Sequence, residues 1–254
     1  WVSFAGFYWR IIRINGDGSI RIIYQGVADS PTPDAGNMTG EGTQIGTSAF
    51  NSSYKNNMYV GYMYTSGQRQ GYNNPSEIKG ILDTWYKNNL EGKYANYIDG
   101  NAGFCGDRRV SNGTGIGTSA TDYQPYTRMS NKSPTLSCEK ADIYTIDEFE
   151  HGNGALIYPI GLVSADEAML AGIPWSGVNT NTYLYTNITY WTMSPYRFDG
   201  PGYAIVFVVN GSGTFSNVVV TGASPGIRPV INIRSDTVLS GSGTSTDPFK
   251  VVGA

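Results

Sequence analysis

The stretch Tyr203-Ala204-Ile205-Val206-Phe207-Val208-Val209-Asn210 runs through Gly211-Ser212-Gly213 into Thr214-Phe215-Ser216-Asn217-Val218-Val219-Val220-Thr221. β-Branched and aromatic side chains fill both runs and suit a pleated, half-buried surface. The glycines between them accept the backbone of a tight reversal, so the pair predicts a β-hairpin. Upstream, Tyr190-Trp191-Thr192-Met193-Ser194-Pro195 leads into it, and downstream residues 226–233, with Arg228-Pro229 inside, predict another strand. Gly241-Ser242-Gly243-Thr244 marks a closing hairpin within 235–254. The chain opens in the same way. Residues 9–14 and 19–24 alternate as strands around Asn15-Gly16-Asp17-Gly18, a turn that lacks the spaced oxygen ligands and distal Glu of a calcium loop.

Helices are fewer. Ile78, Ile81, Leu82, Trp85, Tyr86 and Leu90 keep helical spacing after Pro75-Ser76. Ser164-Ala165-Asp166-Glu167 is a capping box, with Gly172 as its stop. Asp166 and Glu167 are explained there by the helix dipole. Residues 57–64 alternate well enough for a strand. Residues 99–153 read as irregular and carry an acidic cluster of Asp142, Asp147, Glu148 and Glu150. The pattern predicts an α+β fold with two helices, short antiparallel strands and many loops. No break in composition divides it, so one domain is expected over 1–254.

Seventeen Lys and Arg against twenty Asp and Glu give a net charge of −3, which argues against the positive face of a duplex-binding protein. No run approaches eighteen apolar residues, so no membrane span is expected within the chain. The opening at Trp1 reads as that of a processed product, which leaves room for an anchor upstream. Cys105 and Cys138 both lie in turn-rich segments and predict a disulfide, hence an oxidising, extracytoplasmic compartment. The single histidine, His151, sits in a Gly-rich turn, and no Gly-x-Ser-x-Gly elbow is present. Neither a hydrolase triad nor a structural zinc site is therefore expected. No carboxylate pair stands out for glycosidic chemistry. The chain is read as neither an enzyme nor a holder of a metal or cofactor. Recognition chemistry is better supplied, because Tyr, Asn, Ser and Gly crowd residues 183–224. Arg197, Phe198 and Asp199 fall there between Pro195 and Pro201, in what reads as a loop anchored at both ends.

Residues 8–21, Leu82-Asp83-Thr84-Trp85-Tyr86, Phe104-Cys105-Gly106-Asp107-Arg108, residues 162–167, Trp191-Thr192-Met193-Ser194-Pro195, Gly226-Ile227-Arg228-Pro229-Val230 and Gly241-Ser242-Gly243-Thr244 together resemble a set of bacterial surface proteins. The second half is similar to C-type lectin-like domains of the formylglycine-generating-enzyme type. Those include variable receptor proteins diversified by diversity-generating retroelements. The resemblance implies that residues 186–234 form a variable, ligand-binding segment. Its ligand-facing candidates are Tyr196, Arg197, Asp199, Tyr203, Ile205, Val208, Asn210, Ser212, Thr214, Ser216, Asn217, Val218, Val219, Thr221 and Ser224. Ala204, Val206, Phe207, Gly213 and Arg228 would be fixed scaffold, with Arg228 bracing loop carbonyls. Neither cysteine matches the reactive motif of the enzymes of that class, and no Glu-Pro-Asn or Trp-Asn-Asp calcium motif is present. The expected function is extracellular adhesion or recognition of a protein or glycan at a cell surface or virion. The alternative is a structural subunit of a pilus, phage tail or surface layer.

Overall fold

The computed structural model describes residues 1–29, 33, 39–200 and 202–254. Pro201, read above as one anchor of a loop, lies outside the described residues, as does Pro31. Three α-helices and seventeen short strands are present among the described residues, an α+β fold dominated by sheet. Eleven of the strands build two sheets. The chain enters the first sheet through β1 (Val2–Phe4), β2 (Phe7–Ile14) and β3 (Ile20–Val27). It then forms the second from β4 (Val110–Asn112), β5 (Thr121–Tyr123), β6 (Tyr190–Phe198), β7 (Ala204–Val209) and β8 (Phe215–Val219). It returns to the first through β9 (Val230–Ile233), β10 (Leu239–Ser240) and β11 (Phe249–Val251). The strand orders are β9-β3-β2-β1-β11-β10 and β8-β7-β6-β5-β4.

Both expected hairpins form. In the first, the Asn15 carbonyl accepts from Gly18 N, and Asp17 Oδ1 accepts from both Ser19 N and Ser19 Oγ. Gly18 takes a φ of +85°, which a side chain would resist. The second pairs β7 with β8 from Ile205↔Val219 to Val209↔Phe215. The C-terminal hairpin pairs β10 with β11 and goes further, because β11 also runs parallel beside β1 and closes the first sheet onto its own N-terminus.

Helix α1 (Glu77–Asn89) starts where Ser76 Oγ accepts from Lys79 N, and it buries Ile78, Leu82 and Tyr86. Helix α2 (Gln124–Asn131) falls inside the stretch read as irregular, so two expected helices become three. Its only buried residues are Pro125 and Met129, and no side chain caps its N-terminus. Neither an apolar stripe nor a cap therefore announced it. Helix α3 (Ala165–Leu170) carries both halves of the capping box, with Ser164 Oγ accepting from Glu167 N and Glu167 Oε2 accepting from Ser164 N. Gly172 follows at φ +101°.

Two further readings are corrected. Residues 57–64 are not one strand. Asn56 caps a 3₁₀ turn over Asn57–Val60, and only Met63–Tyr64 pairs as strand. A Cβ at Gly61 would lie 2.4 Å from the Met63 carbonyl, so the backbone there folds back on itself more tightly than a strand allows. Residues Arg197 and Phe198 are not in a loop. Strand β6 continues through them to Phe198, and the turn begins at Asp199.

One hydrophobic cluster takes in buried residues of both sheets and all three helices, with Trp9 and Trp191 fully enclosed. Trp9 Nε1 donates to the Phe4 carbonyl and Trp191 Nε1 to the Ser48 carbonyl, so neither indole hides an unmet donor. The segment after β8 ties the sheets together. Gly226 bridges to Tyr190 of β6, and Val230 pairs with Ile23 of β3. Behind it Arg228 is buried. It donates to the carbonyls of Tyr24 and Leu184 and to Gln25 Oε1, the bracing role expected of it.

Candidate functional site

Side chains alternate across a strand, and residues paired across a ladder share a face. In the second sheet this rule sorts the candidates. Arg197↔Ile205↔Val219 form one row and Phe207↔Asn217 the next on the same face. Pro195↔Val206↔Val218 and Trp191↔Val208↔Ser216 lie on the opposite face; β7 is buried on both faces, with Val206, Val208 and Trp191 in the core on this one and Phe207 in it on the other.

On the first of these faces an aromatic group assembles from three parts of the chain. The Tyr196 ring is 5.0 Å from Phe207 and 4.9 Å from Tyr126 of α2, both edge to face. Trp175, from the segment after α3, lies 5.9 Å from Tyr126 and 6.2 Å from Phe207. That segment is held down at Pro174, whose carbonyl accepts from Phe215 N and from Thr214 Oγ1. The Arg197 guanidinium carbon lies 4.7 Å from the Tyr126 ring centroid and 4.8 Å from that of Tyr196. Its Nε is 3.4 Å from Asp122 Oδ1, and its side chain stays one-third exposed. Partial burial raises the Tyr196 phenol pKa, and Arg197 opposes that rise. Tyr126, Trp175, Tyr196 and Arg197 are all half-buried, and Asn217 is exposed beside them. The group offers aromatic faces, a stacked cation with one weak acid partner and a primary amide. These are features that bind planar, apolar or hydroxylated ligands without covalent chemistry.

The remaining candidates do not converge there. Val208 is 0% exposed and Ile205 9%, so the reading of both as ligand-facing is corrected: Val208 packs in the core, and Ile205 is covered although its row is outward. Ser216 and Val218 are half-buried in the core-side rows. Asp199 and Tyr203 sit at one end of the sheet. Asp199 Oδ1 accepts from Gly202 N and Tyr203 N, and the Tyr203 ring stacks on Tyr54 at 5.2 Å and 8°. Asn210, Ser212 and Thr214 sit at the other end. There Asn210 Oδ1 accepts from Ser212 N, and the Thr214 carbonyl accepts from Asn210 N. Thr221 and Ser224 follow β8, half-buried and exposed. Tyr126 and Trp175 were missed from sequence. Neither lies in the C-terminal segment, and only the fold brings them to it.

The predicted disulfide joins Cys105 to Cys138. Around it the carboxylates read as dipole partners or as an acidic cluster have other tasks. Glu167 meets Arg21 and Arg13, Asp166 takes a bidentate fork from Arg128, and buried Asp142 pairs with Arg108. Burial raises the Asp142 pKa, and Arg108 opposes that rise. His151 is exposed beside Glu150. Among the described residues no group of three or more His, Cys, Asp or Glu could hold a metal ion, and no helix is long and apolar enough to cross a membrane. Comparison of the chain with protein-family models, with curated proteins and with solved structures returned no match.

Proposed function

We propose that the chain is an extracellular recognition domain of the C-type lectin-like class, and that it binds a protein or glycan ligand through the outer face of its second sheet. The observation that carries the reading is the half-buried group of Tyr126, Trp175, Tyr196 and Arg197, which leaves aromatic and guanidinium surface accessible above the buried Phe207. Tyr, Trp and Arg in partly desolvated positions dominate binding energy at interfaces. Here Tyr196 and Arg197 stand on β6 and Tyr126 on α2, and the loop that carries Trp175 is held at the Pro174 carbonyl by Phe215 N and Thr214 Oγ1, so their geometry is set before a ligand arrives. The disulfide is compatible with an oxidising compartment outside the cytoplasm. Diversification by a retroelement is part of the proposal. It would act on the outward positions Tyr196, Arg197, Asn217 and Val219 and on the turn residues, and would spare Val208.

The test is a glycan and protein array probed with the wild-type chain and with a Tyr196→Ser, Arg197→Gln, Asn217→Ala triple variant. Ligands retained by the first should be lost by the second while the variant stays folded at the assay temperature. Equal retention by the variant, or its unfolding, would overturn the reading. The genomic neighbourhood tests the diversification separately, since a reverse transcriptase beside a near-copy of the 3′ coding end is its required companion.

A further inference from the structure

Three adjoining hollows meet at Arg13 and Leu136, away from the face described above. The largest, about 370 Å³, passes the Cys105–Cys138 bridge between the Asn15–Gly16–Asp17 turn and Phe149. A second, about 230 Å³, is walled by Ile12, Leu170 and Tyr183, and a narrow third leads past Arg128 and Thr135. Arg13 and Leu136 line all three.

Behind these hollows Arg13 shares its carboxylate with a second arginine. Glu167 Oε1 lies 3.1 Å from Arg13 Nε and 2.5 Å from Arg21 Nε, so one carboxylate serves two guanidiniums on directly paired positions of β2 and β3. Arg21 is buried and donates also to the Gly103 and Leu162 carbonyls. Arg128 brings no relief, because Asp166 and Asp107 already hold it. Asp17, the carboxylate lining the largest hollow, accepts from Ser19 N and Ser19 Oγ and forms no ion pair with Arg13. Arg13 is left with Glu167 as its only acid partner among the described residues and with 28% of its side chain exposed. Two cations on one carboxylate in a partly desolvated site are short of one negative charge. Beside them Leu136 is 49% exposed and Phe149 37%, an apolar lining with no protein cover.

We infer that this hollow binds a small ligand in which a carboxylate is joined to an apolar or aromatic body. The carboxylate accepts from the Arg13 fork, and the body lies against Leu136 and, in the largest hollow, Phe149. Bidentate guanidinium recognition selects a planar carboxylate, and the apolar wall selects what carries it.

Phenylacetate is the probe, with phenylacetamide as its uncharged counterpart, and binding is read by saturation-transfer NMR and calorimetry. Phenylacetate should bind saturably to the wild-type chain. Phenylacetamide should bind about tenfold more weakly, and Arg13→Gln should weaken phenylacetate by a similar factor. Arg197→Gln, on the other face, should leave the affinity within about twofold, which keeps this test separate from that of the recognition face. Leu136→Asp sets a repelling carboxylate at an exposed position and should abolish binding even if Arg13→Gln fails to fold. The inference is overturned if the amide binds as well as the acid, if Leu136→Asp binds normally, or if inorganic sulfate displaces phenylacetate as readily as benzoate does.

Discussion

Arg228 and Arg197 each stack on tyrosine, the first 4.7 Å above the Tyr190 ring and the second at 4.7 and 4.8 Å from Tyr126 and Tyr196. Their surroundings differ in kind. Arg228 is buried, and its fork meets the Tyr24 carbonyl at 3.0 and 3.2 Å, the Leu184 carbonyl at 3.2 Å and Gln25 Oε1 at 2.6 Å. Arg197 has Asp122 at 3.4 Å and open solvent. One stacking geometry therefore serves two ends. Where the fork is spent on buried acceptors the arginine braces the fold, and where it is not, the arginine and its rings remain available to a ligand.

The comparison breaks first at Arg228. Arg228→Met keeps volume and removes every guanidinium donor, so the Tyr24 carbonyl loses two bonds, Gln25 Oε1 loses its 2.6 Å contact and the Leu184 carbonyl keeps the Tyr190 hydroxyl. Loss of a buried, charge-assisted network should cost about 3–5 kcal/mol. Urea unfolding measures it, and a loss near zero would mean that water replaces the guanidinium and that burial does not separate the two arginines. The disulfide comes next. Replacing Cys105 and Cys138 with alanine releases a loop with a sequence separation of 33 and should lower stability by about 3–4 kcal/mol in the chain-entropy model. Ligand binding at the Arg197 face should survive at temperatures where the variant is folded, because neither cysteine supports that face.

A third test uses the tyrosines. Burial, first of all, pushes Tyr86 and Tyr183 from the ordinary 10.0 up to about 12. Tyr62, Tyr144 and Tyr190 are also raised, again chiefly by burial. A raised phenol pKa means that the folded chain holds the proton more tightly than the unfolded one. That contribution is complete below the unfolded value of 10.0 and is lost as pH climbs through the folded value. The urea midpoint should hold to about pH 10 and fall steeply toward pH 12. Tyr183→Phe should flatten the fall, and tyrosinate absorbance from the buried rings should appear together with unfolding. A midpoint that is flat through this window would contradict the burial on which the division between brace and surface rests.

What the sequence disclosed follows from how local each signal is. The hairpins around Asn15 to Gly18 and around Gly211 to Gly213 were legible, because turn chemistry and alternation lie within a few residues. So were the Ser76 and Ser164 caps and the bracing part played by Arg228. Helix α2 was not legible, since Tyr123 offers no cap and most of its surface is polar. Nor was the inner or outer sense of each candidate. Val208 and Asn217 both read as ligand-facing, but β7 is the inner strand, buried on both faces, whereas β8 is the edge strand and leaves Asn217 exposed opposite the buried Phe207. The partners of Asp166 and Glu167 come from α2 and from the first hairpin, far away in the chain, so local reading could offer only the helix dipole. Tyr126 and Trp175 escaped for the same reason.

The smallest expected change in stability is also the one that decides between the two kinds of arginine. Arg197→Gln removes a one-third-exposed cation whose only acid partner among the described residues is likewise one-third exposed, and such pairs contribute about 0–1 kcal/mol. The unfolding free energy read from urea should therefore move by no more than about 1 kcal/mol. Trp175 lies next to Tyr126 rather than next to the guanidinium, so the aromatic group should keep its packing. Binding should respond differently. Any ligand retained by the wild-type face should weaken by about tenfold or more, because the cation and the two rings it covers act as one contact. A stability loss above about 2 kcal/mol would put Arg197 in the same class as Arg228, and the face would then be packing that happens to reach solvent.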